Sequence, residues 1–385
     1  MKKKIALIGA NGSVGRQSLE IIKEYSSFFD LTLATCHSHF EQLQDLTSSW
    51  DQVQLACTGK PENPLPAHFL SGKEAVTNFI CEIQPDILLI ASAGLTGFEI
   101  LRDAYPYCAK IAIANKESLI MAGCSGLIPE IRKTSFLLPI DSEHVGIHQL
   151  ISGHDNAYIR KVYLTASGGP FYSKKSDQVN WDNISPEQAM AHPTWNMGPK
   201  VSLDSATMAN KGIELIEAQY LFQLPWYQLD ILIQPSSQVH ALVEWVDGST
   251  TAQLAVADMR LCVQYALFWP QRKTFSHKAS LDLHHFDYIP FVPFDPESLD
   301  IIKASYYCMQ HSASKPWLPL VYLASDEIAL ERFVLGQMKF KEIGSWILNV
   351  CHNISEQLFF SYETVNPSNI LGIYNDVVNA IKKGY

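Results

Sequence analysis

The chain predicts an α/β protein: a doubly wound parallel sheet first, a second α/β region next, and a helical bundle at the end. Three observations predict it. Short apolar runs alternate with helix-length periodic segments over residues 1–140. A glycine turn joins the first apolar run to the first helix. From about residue 300 onward the pattern is helical with short breaks.

Taken in order, residues 4–8 read as a buried strand and 14–25 as a helix. Further strands read at 31–35, 86–91, 111–114 and 136–144, then at 161–167. A strand pair near 231–246 and 250–256 is joined by the hairpin signal Asp247-Gly248. Residues 271–299 carry Pro290, Pro293 and Pro296 and read as a linker. The expected division is 1–140, 141–270, the linker 271–299, and 300–385.

Composition narrows the function. Hydrophobic residues are 47% and charged ones 18%, enough for sizeable cores. Twenty-nine basic residues against 39 acidic give −10, which argues against a nucleic-acid or anionic-membrane binder but allows a local phosphate pocket. The eight cysteines are scattered, with no CxxC pair, which suits reduced thiols in a cytosol, and the lack of a Ser/Arg-rich transit segment suits a bacterial-type cytoplasmic chain or a mature organellar form. The start, Met1-Lys2-Lys3-Lys4-Ile5-Ala6-Leu7-Ile8, has too short an apolar run for a signal peptide, and no run approaches a membrane span.

Several motifs carry chemistry. Gly9-Ala10-Asn11-Gly12-Ser13-Val14-Gly15 follows a strand and opens a helix. Its glycines let backbone approach a pyrophosphate seated on the helix N-terminus; the plain alternative is a glycine-rich turn. After the second strand, Cys36-His37-Ser38-His39 contains no acid, which favours NADP over NAD, although the usual Arg is also missing. Asp141 and Glu143 are two apart on an expected strand end, so they share a face and suit Mg²⁺ or Mn²⁺; the alternative is a solvated loop. Glu214 would complete the set. His144 and His148 have a zinc-like spacing without the HExxH order; His144 is expected near the site and His148 to be structural.

Ser167-Gly168-Gly169-Pro170 reads as a phosphate nest or a simple turn. Between Tyr172 and Pro199 a short helix opens on the capping box Ser185…Gln188, followed by His192, Trp195 and Met197, a lid or else a surface loop. One helix is expected from Asp204 or Ser205 as its cap. It would carry Thr207, Asn210, Lys211, Glu214 and Glu217 within an arc of about 120°. Hydroxyls, an amide and a lysine suit a phosphate, and the glutamate suits a metal. The alternative is an amphipathic surface helix with a Lys211–Glu214 pair.

With these motifs in their order, the chain resembles the 1-deoxy-D-xylulose 5-phosphate reductoisomerases over essentially its whole length. The likeness rests on Gly9 to Gly15, Asn115-Lys116-Glu117-Ser118-Leu119, Asp141-Ser142-Glu143-His144, Ala166-Ser167-Gly168-Gly169-Pro170-Phe171, His192 to Ala218, Asp247-Gly248-Ser249 and Asp258-Met259-Arg260. It implies a Rossmann-like NADPH domain, a central catalytic domain and a helical C-terminal domain. It also implies isomerisation and reduction of the sugar phosphate to 2-C-methyl-D-erythritol 4-phosphate with Mg²⁺, Mn²⁺ or Co²⁺, in a homodimer.

By position, the resemblance puts the metal on Asp141, Glu143 and Glu214. The substrate falls to Lys116, Ser142, Glu143, Ser167, His192, Ser205, Asn210, Lys211 and Glu214, with Trp195 and Met197 as the lid. Catalytic roles fall to Lys116, Glu143, His144 and His240. The cofactor falls to the loop Gly9, Ala10, Asn11, Gly12, Ser13 and Val14, to Ser38 and His39, to Asn115, Lys116 and Glu117, and to Gly198. The chain departs from the family at Gln234-Pro235-Ser236-Ser237, at His37-Ser38-His39 and at Asp326-Glu327. The competing expectations are another two-domain NAD(P) dehydrogenase, which would lack the acid trio, and a non-catalytic nucleotide sensor, which would not need it.

Overall fold

The computed structural model describes the 385-residue chain except for residues 172–178, 192–197, 277–279, 286–287, 358–363 and 385. The expected lid residues His192, Trp195 and Met197 lie outside the described residues. The chain forms two compact units.

The first unit opens with β1 (Lys3–Ile8), α1 (Ser13–Glu24), β2 (Phe29–Cys36), α2 (Phe40–Thr47), β3 (Gln54–Cys57), β4 (Leu70–Ser71) and α3 (Gly72–Ile83). It continues with β5 (Ile87–Ile90), α4 (Thr96–Ala104), β6 (Lys110–Ile113), α5 (Lys116–Cys124), α6 (Leu127–Thr134), β7 (Phe136–Pro139) and the start of α7 (Ser142–Ile151). Its sheet runs β4-β3-β2-β1-β5-β6-β7 with parallel pairing. Every residue of β5 and β6 is buried, as expected of a parallel sheet covered on both faces. The strand order reverses beside β1, where such sheets place a ligand at the carboxyl ends. The strands expected at 4–8, 31–35, 86–91 and 111–114 form, and the one expected at 136–144 forms only over Phe136–Pro139; β3 and β4, not foreseen, extend the sheet at one edge.

The second unit carries β8 (Ile159–Ala166), α8 (Pro186–Met190), α9 (Pro199–Thr207), α10 (Ala209–Phe222), β9 (Leu229–Ile233), β10 (Val239–Trp245) and β11 (Thr250–Leu254). The sheet order is β11-β10-β8-β9. The hairpin forms as expected: Glu244 pairs with Thr250, and Gly248 takes the left-handed φ of 86° that the turn requires. The α8 capping box also forms between Ser185 and Gln188.

α11 (Met259–Phe268) follows and returns to the first unit. The return has a packing cause. Phe268 sits edge-on to Tyr25 and Phe28 and against Phe29, while Val263, Ala266 and Leu267 enter the same core as Ile21 and Ile22. The buried Lys110 ammonium donates to the carbonyls of Ala266, Leu267 and Trp269 at 3.1, 2.9 and 2.9 Å, so it satisfies the C-terminal end of α11. The second unit ends in α12 (Asp300–His311), α13 (Leu318–Val334), α14 (Ile343–Gln357) and α15 (Ile370–Gly384), the expected helical region.

Two local expectations are corrected. The helix expected to start at Asp204 or Ser205 is instead two helices. α9 is capped by Gly198 with Pro199 in its first turn, and Met208, in left-handed conformation at φ 69°, separates it from α10. Asp204 and Ser205 therefore lie in the last turns of α9, and the Thr207 hydroxyl accepts the Ala209 N–H at the entrance to α10. Nor do Asp141 and Glu143 alternate along a strand. β7 stops at Pro139, and Asp141 caps α7 by accepting the N–H groups of Glu143 and His144 at 3.1 and 3.3 Å.

Candidate active site

The glycine loop after β1 is shaped by close approach. Gly9 has φ 88°, and a Cβ there would lie 2.5 Å from Ser92 Cα; at Gly15 it would lie 2.1 Å from the Gly9 carbonyl. At Gly12 nothing is nearer than 3.5 Å, so that glycine leaves open space. Gly12 caps α1 without any side-chain acceptor, and the first N–H groups of α1, at Ser13 and Val14, keep the field that attracts an anion.

The loop is tied down by its neighbours. Thr35 accepts from Gly9 and Ala10, and Asn11 donates to the His39 carbonyl at 2.8 Å. Among the described residues, the buried Asn11 Oδ1 and Ser92 Oγ lack a hydrogen-bond partner, so polar ligand groups at these strand ends would complete them. Thr35 and Ser92 were not foreseen from sequence, because a single hydroxyl at a strand end carries no spacing signal. Asn115 is buried and fully engaged: it donates to Ser92, Gly94 and Glu117 and accepts from the Ser118 N–H. It positions the start of α5, on which Lys116 sits.

Lys116 donates to Asp141 Oδ2 at 2.9 Å, the His144 ring lies 3.3 Å from Asp141 Oδ1, and Ser142 donates to Glu143 at 3.0 Å. The buried Cys262 thiol on α11 is pushed well up, first by burial and then by the charges of Asp141 and Glu143. The His148 Nδ1 lies 3.2 Å from the Ser152 hydroxyl.

On α10 the side chains do the work. Lys211 and Glu214 are buried as an ion pair, Asn210 also donates to Glu214, and Glu217 is buried one turn on. The alternative of an amphipathic surface helix is thereby overturned: Lys211 is 5% exposed, Glu214 1% and Glu217 2%. Such burial of charge is stabilising only with satisfied partners. Asn210 Oδ1 is buried without one among the described residues. The loop after β8 lies against α9: Ser167 accepts the Gly169 N–H, and a Cβ on Gly169, at φ 69°, would meet the Ser205 carbonyl at 2.9 Å. His240 is buried on β10, where its carbonyl accepts from Thr165.

One carboxylate oxygen of Asp141 lies within 4.8 Å of one of Glu143, both at the start of α7 in the first unit, and Glu214 is buried on α10 in the second. Opposite oxygens around Mg²⁺ lie about 4 Å apart, so the Asp141 and Glu143 oxygens are spaced to share a hard cation.

The sequence comparisons agree with this geometry. Residues 5–123 match the family model for 1-deoxy-D-xylulose 5-phosphate reductoisomerase, and 137–222 and 254–374 match two models of the C-terminal domains of that enzyme. The reductoisomerase of Thermomicrobium roseum is 38% identical over 353 residues, covering 91% of this chain and 90% of the relative. That of Thermodesulfovibrio yellowstonii is 35% identical over 349 residues, covering 89% and 90%. A crystal structure of DOX-P reductoisomerase with NADPH, fosmidomycin and magnesium superposes with a TM-score of 0.85 at 30% identity over the whole of both chains. The Zymomonas mobilis enzyme with NADPH gives 0.85 at 27% identity, again over the whole of both chains. The chain belongs to the 1-deoxy-D-xylulose 5-phosphate reductoisomerase family.

Proposed function

We propose that this chain converts 1-deoxy-D-xylulose 5-phosphate to 2-C-methyl-D-erythritol 4-phosphate, using NADPH and a divalent cation, in isoprenoid precursor synthesis. The observation that carries the reading is the pair of neighbouring carboxylates, Asp141 and Glu143, at the start of α7 in a chain whose family relative was crystallised with NADPH and magnesium; Glu214 is the third ligand in this reading. When bound, the cation supplies Lewis-acid polarisation of substrate oxygens and NADPH supplies hydride.

The chain's own residues divide the remaining work. Lys116, held by Asp141, and Ser142, held by Glu143, orient substrate oxygens. His144, against Asp141, and the buried His240 are the neighbouring groups able to hold a proton. Ser167, Ser205, Asn210 and Lys211 anchor the phosphate, so binding energy far from the reacting carbons serves orientation. His192, Trp195 and Met197 close over the substrate and exclude water.

Gly9 to Val14, Ser38, His39, Asn115, Lys116, Glu117 and Gly198 serve the dinucleotide, the first of these through backbone N–H groups. A homodimer and a cytoplasmic location belong to the same reading. The exposed edge strand β11 offers a pairing surface, and all eight cysteines are free. No described helix is long and apolar enough to cross a membrane.

The test is NADPH consumption with 1-deoxy-D-xylulose 5-phosphate, with Mg²⁺ or Mn²⁺ and after chelation. Oxidation that requires both the sugar phosphate and the metal is expected. Oxidation that proceeds equally without metal, or none with this substrate, would overturn the reading.

A further inference from the structure

We propose that Gly59 and Lys60, in the loop after β3, act with His37 to read the 2′-phosphate of NADPH, so that a neighbouring strand supplies the cation missing after β2. The inference rests on the NADPH reading above. In a doubly wound nucleotide domain the ribose 2′ substituent lies at the end of the second strand, where an acid selects NAD and a cation selects NADP. Here β2 ends in Cys36-His37-Ser38-His39, with neither Asp, Glu, Arg nor Lys.

The register of the sheet repairs this. β2 and β3 run parallel with Cys36 opposite Cys57, so the residues that follow each strand emerge side by side. The Thr58 N–H donates to the Cys36 carbonyl at 2.9 Å and the Gly59 N–H to the His37 carbonyl at 2.7 Å. The His37 ring lies directly on the Gly59 backbone: a Cβ on Gly59 would fall 2.4–2.7 Å from three ring atoms. Gly59 is thus the residue that makes room for the imidazole. Lys60 follows it, exposed.

On the other side, the His39 carbonyl is bonded to Asn11 of the glycine loop, which brings this corner beside the pyrophosphate end of α1. Glu41, the acid of the first turn of α2, is held by the Asn63 amide at 2.8 Å, and that bond lowers its pKa first, with a smaller contribution from His39. Arg16 is the rival cation, and its Nε donates to the Asn11 carbonyl at 3.0 Å. An imidazole N–H, the Ser38 hydroxyl and an ammonium suit a phosphate dianion and gain nothing from the 2′-hydroxyl of NADH.

The test is fluorescence titration of the intact chain with NADPH and with NADH, without substrate. Lys60→Ala and His37→Ala should each weaken NADPH binding about 10-fold while NADH changes by less than about two-fold. Gly59→Ala should mimic His37→Ala by displacing the ring, and Lys60→Arg should restore the preference. Lys60 is exposed, so its variants keep the fold. Equal losses for both dinucleotides would overturn the proposal. So would an unchanged ratio in Lys60→Ala, or a collapse of the ratio in Arg16→Ala alone. A wild-type chain that binds neither dinucleotide would sink the functional reading itself.

Discussion

α1 and α10 both open beside groups suited to phosphate, yet they are built on opposite principles. α1 is an ordinary amphipathic helix that buries Leu19, Ile21 and Ile22 and exposes Arg16 and Glu20. What it offers is backbone N–H at an uncapped N-terminus, so its demands are steric and fall on glycines. α10 is buried on nearly every side and offers side-chain charge, with Lys211, Glu214 and Glu217 inside. Its demands are electrostatic: each buried charge must keep a partner. The first helix tolerates side-chain change and punishes an added methyl, whereas the second punishes the loss of one charge.

The largest effect should follow Glu214→Gln. The amide is nearly isosteric, but it removes the charge of a proposed metal ligand and of the buried ion pair with Lys211. Turnover should fall on the order of a thousand-fold, with metal affinity reduced and the circular dichroism spectrum unchanged. Normal turnover at limiting Mn²⁺ would remove Glu214 from the donor set. Next come the glycines. Gly15→Ala forces a Cβ to 2.1 Å from the Gly9 carbonyl and should cost both thermal stability and NADPH affinity, the latter about 100-fold. Gly12→Ala meets no protein atom nearer than 3.5 Å, so its melting temperature should hold while NADPH affinity falls. If both variants lose stability alike, the loop is constrained by its own packing and not by a ligand's approach.

The contrast between the helices also explains what the sequence revealed. The glycine loop and the strands of the first sheet were legible because apolar runs and glycine spacing are local signals. The Asp141-Ser142-Glu143 motif was legible as chemistry but misplaced as geometry: an acid after Pro139 caps a helix as readily as it ends a strand. The break at Met208 was not legible, since methionine is an ordinary helix residue and only the surroundings hold it at φ 69°. The return of α11 was hidden for a similar reason. Phe268 and the carbonyls that Lys110 satisfies find partners more than a hundred residues away.

Lys110 gives the next prediction, on stability. Burial pushes its ammonium down from the ordinary 10.5 to about 8, so between those values the unfolded chain holds more protons. Its contribution to stability should therefore rise with pH from about 8 to 10.5. Lys110→Met should abolish that slope and, by removing the donor from the buried Ala266 and Leu267 carbonyls and the part-buried one of Trp269, lower stability by about 2 kcal/mol in urea unfolding. An unchanged midpoint would mean that water reaches those carbonyls.

The smallest effect is expected from the same carboxyl-to-amide change made at Asp204, at the other end of the α9–α10 pair. Asp204 and Asp326 are buried and share the Lys200 ammonium at 2.8 and 3.0 Å. Burial first, and the Asp326 charge second, raise the Asp204 pKa well above its ordinary 3.8, so a single lysine does not balance both acids. Because the folded value is the higher one, this group's stabilisation is complete below pH 3.8 and declines as pH rises through the folded value. An asparagine copies the protonated form in size and hydrogen bonding. Asp204→Asn should then change stability by less than about 1 kcal/mol at neutral pH and flatten its acid-side pH dependence. Asp204→Ala, which opens a cavity beside Asp326, should cost more. If Asp204→Asn were as damaging as Glu214→Gln, Asp204 would be a working carboxylate, and α9 would follow the same electrostatic rule as α10.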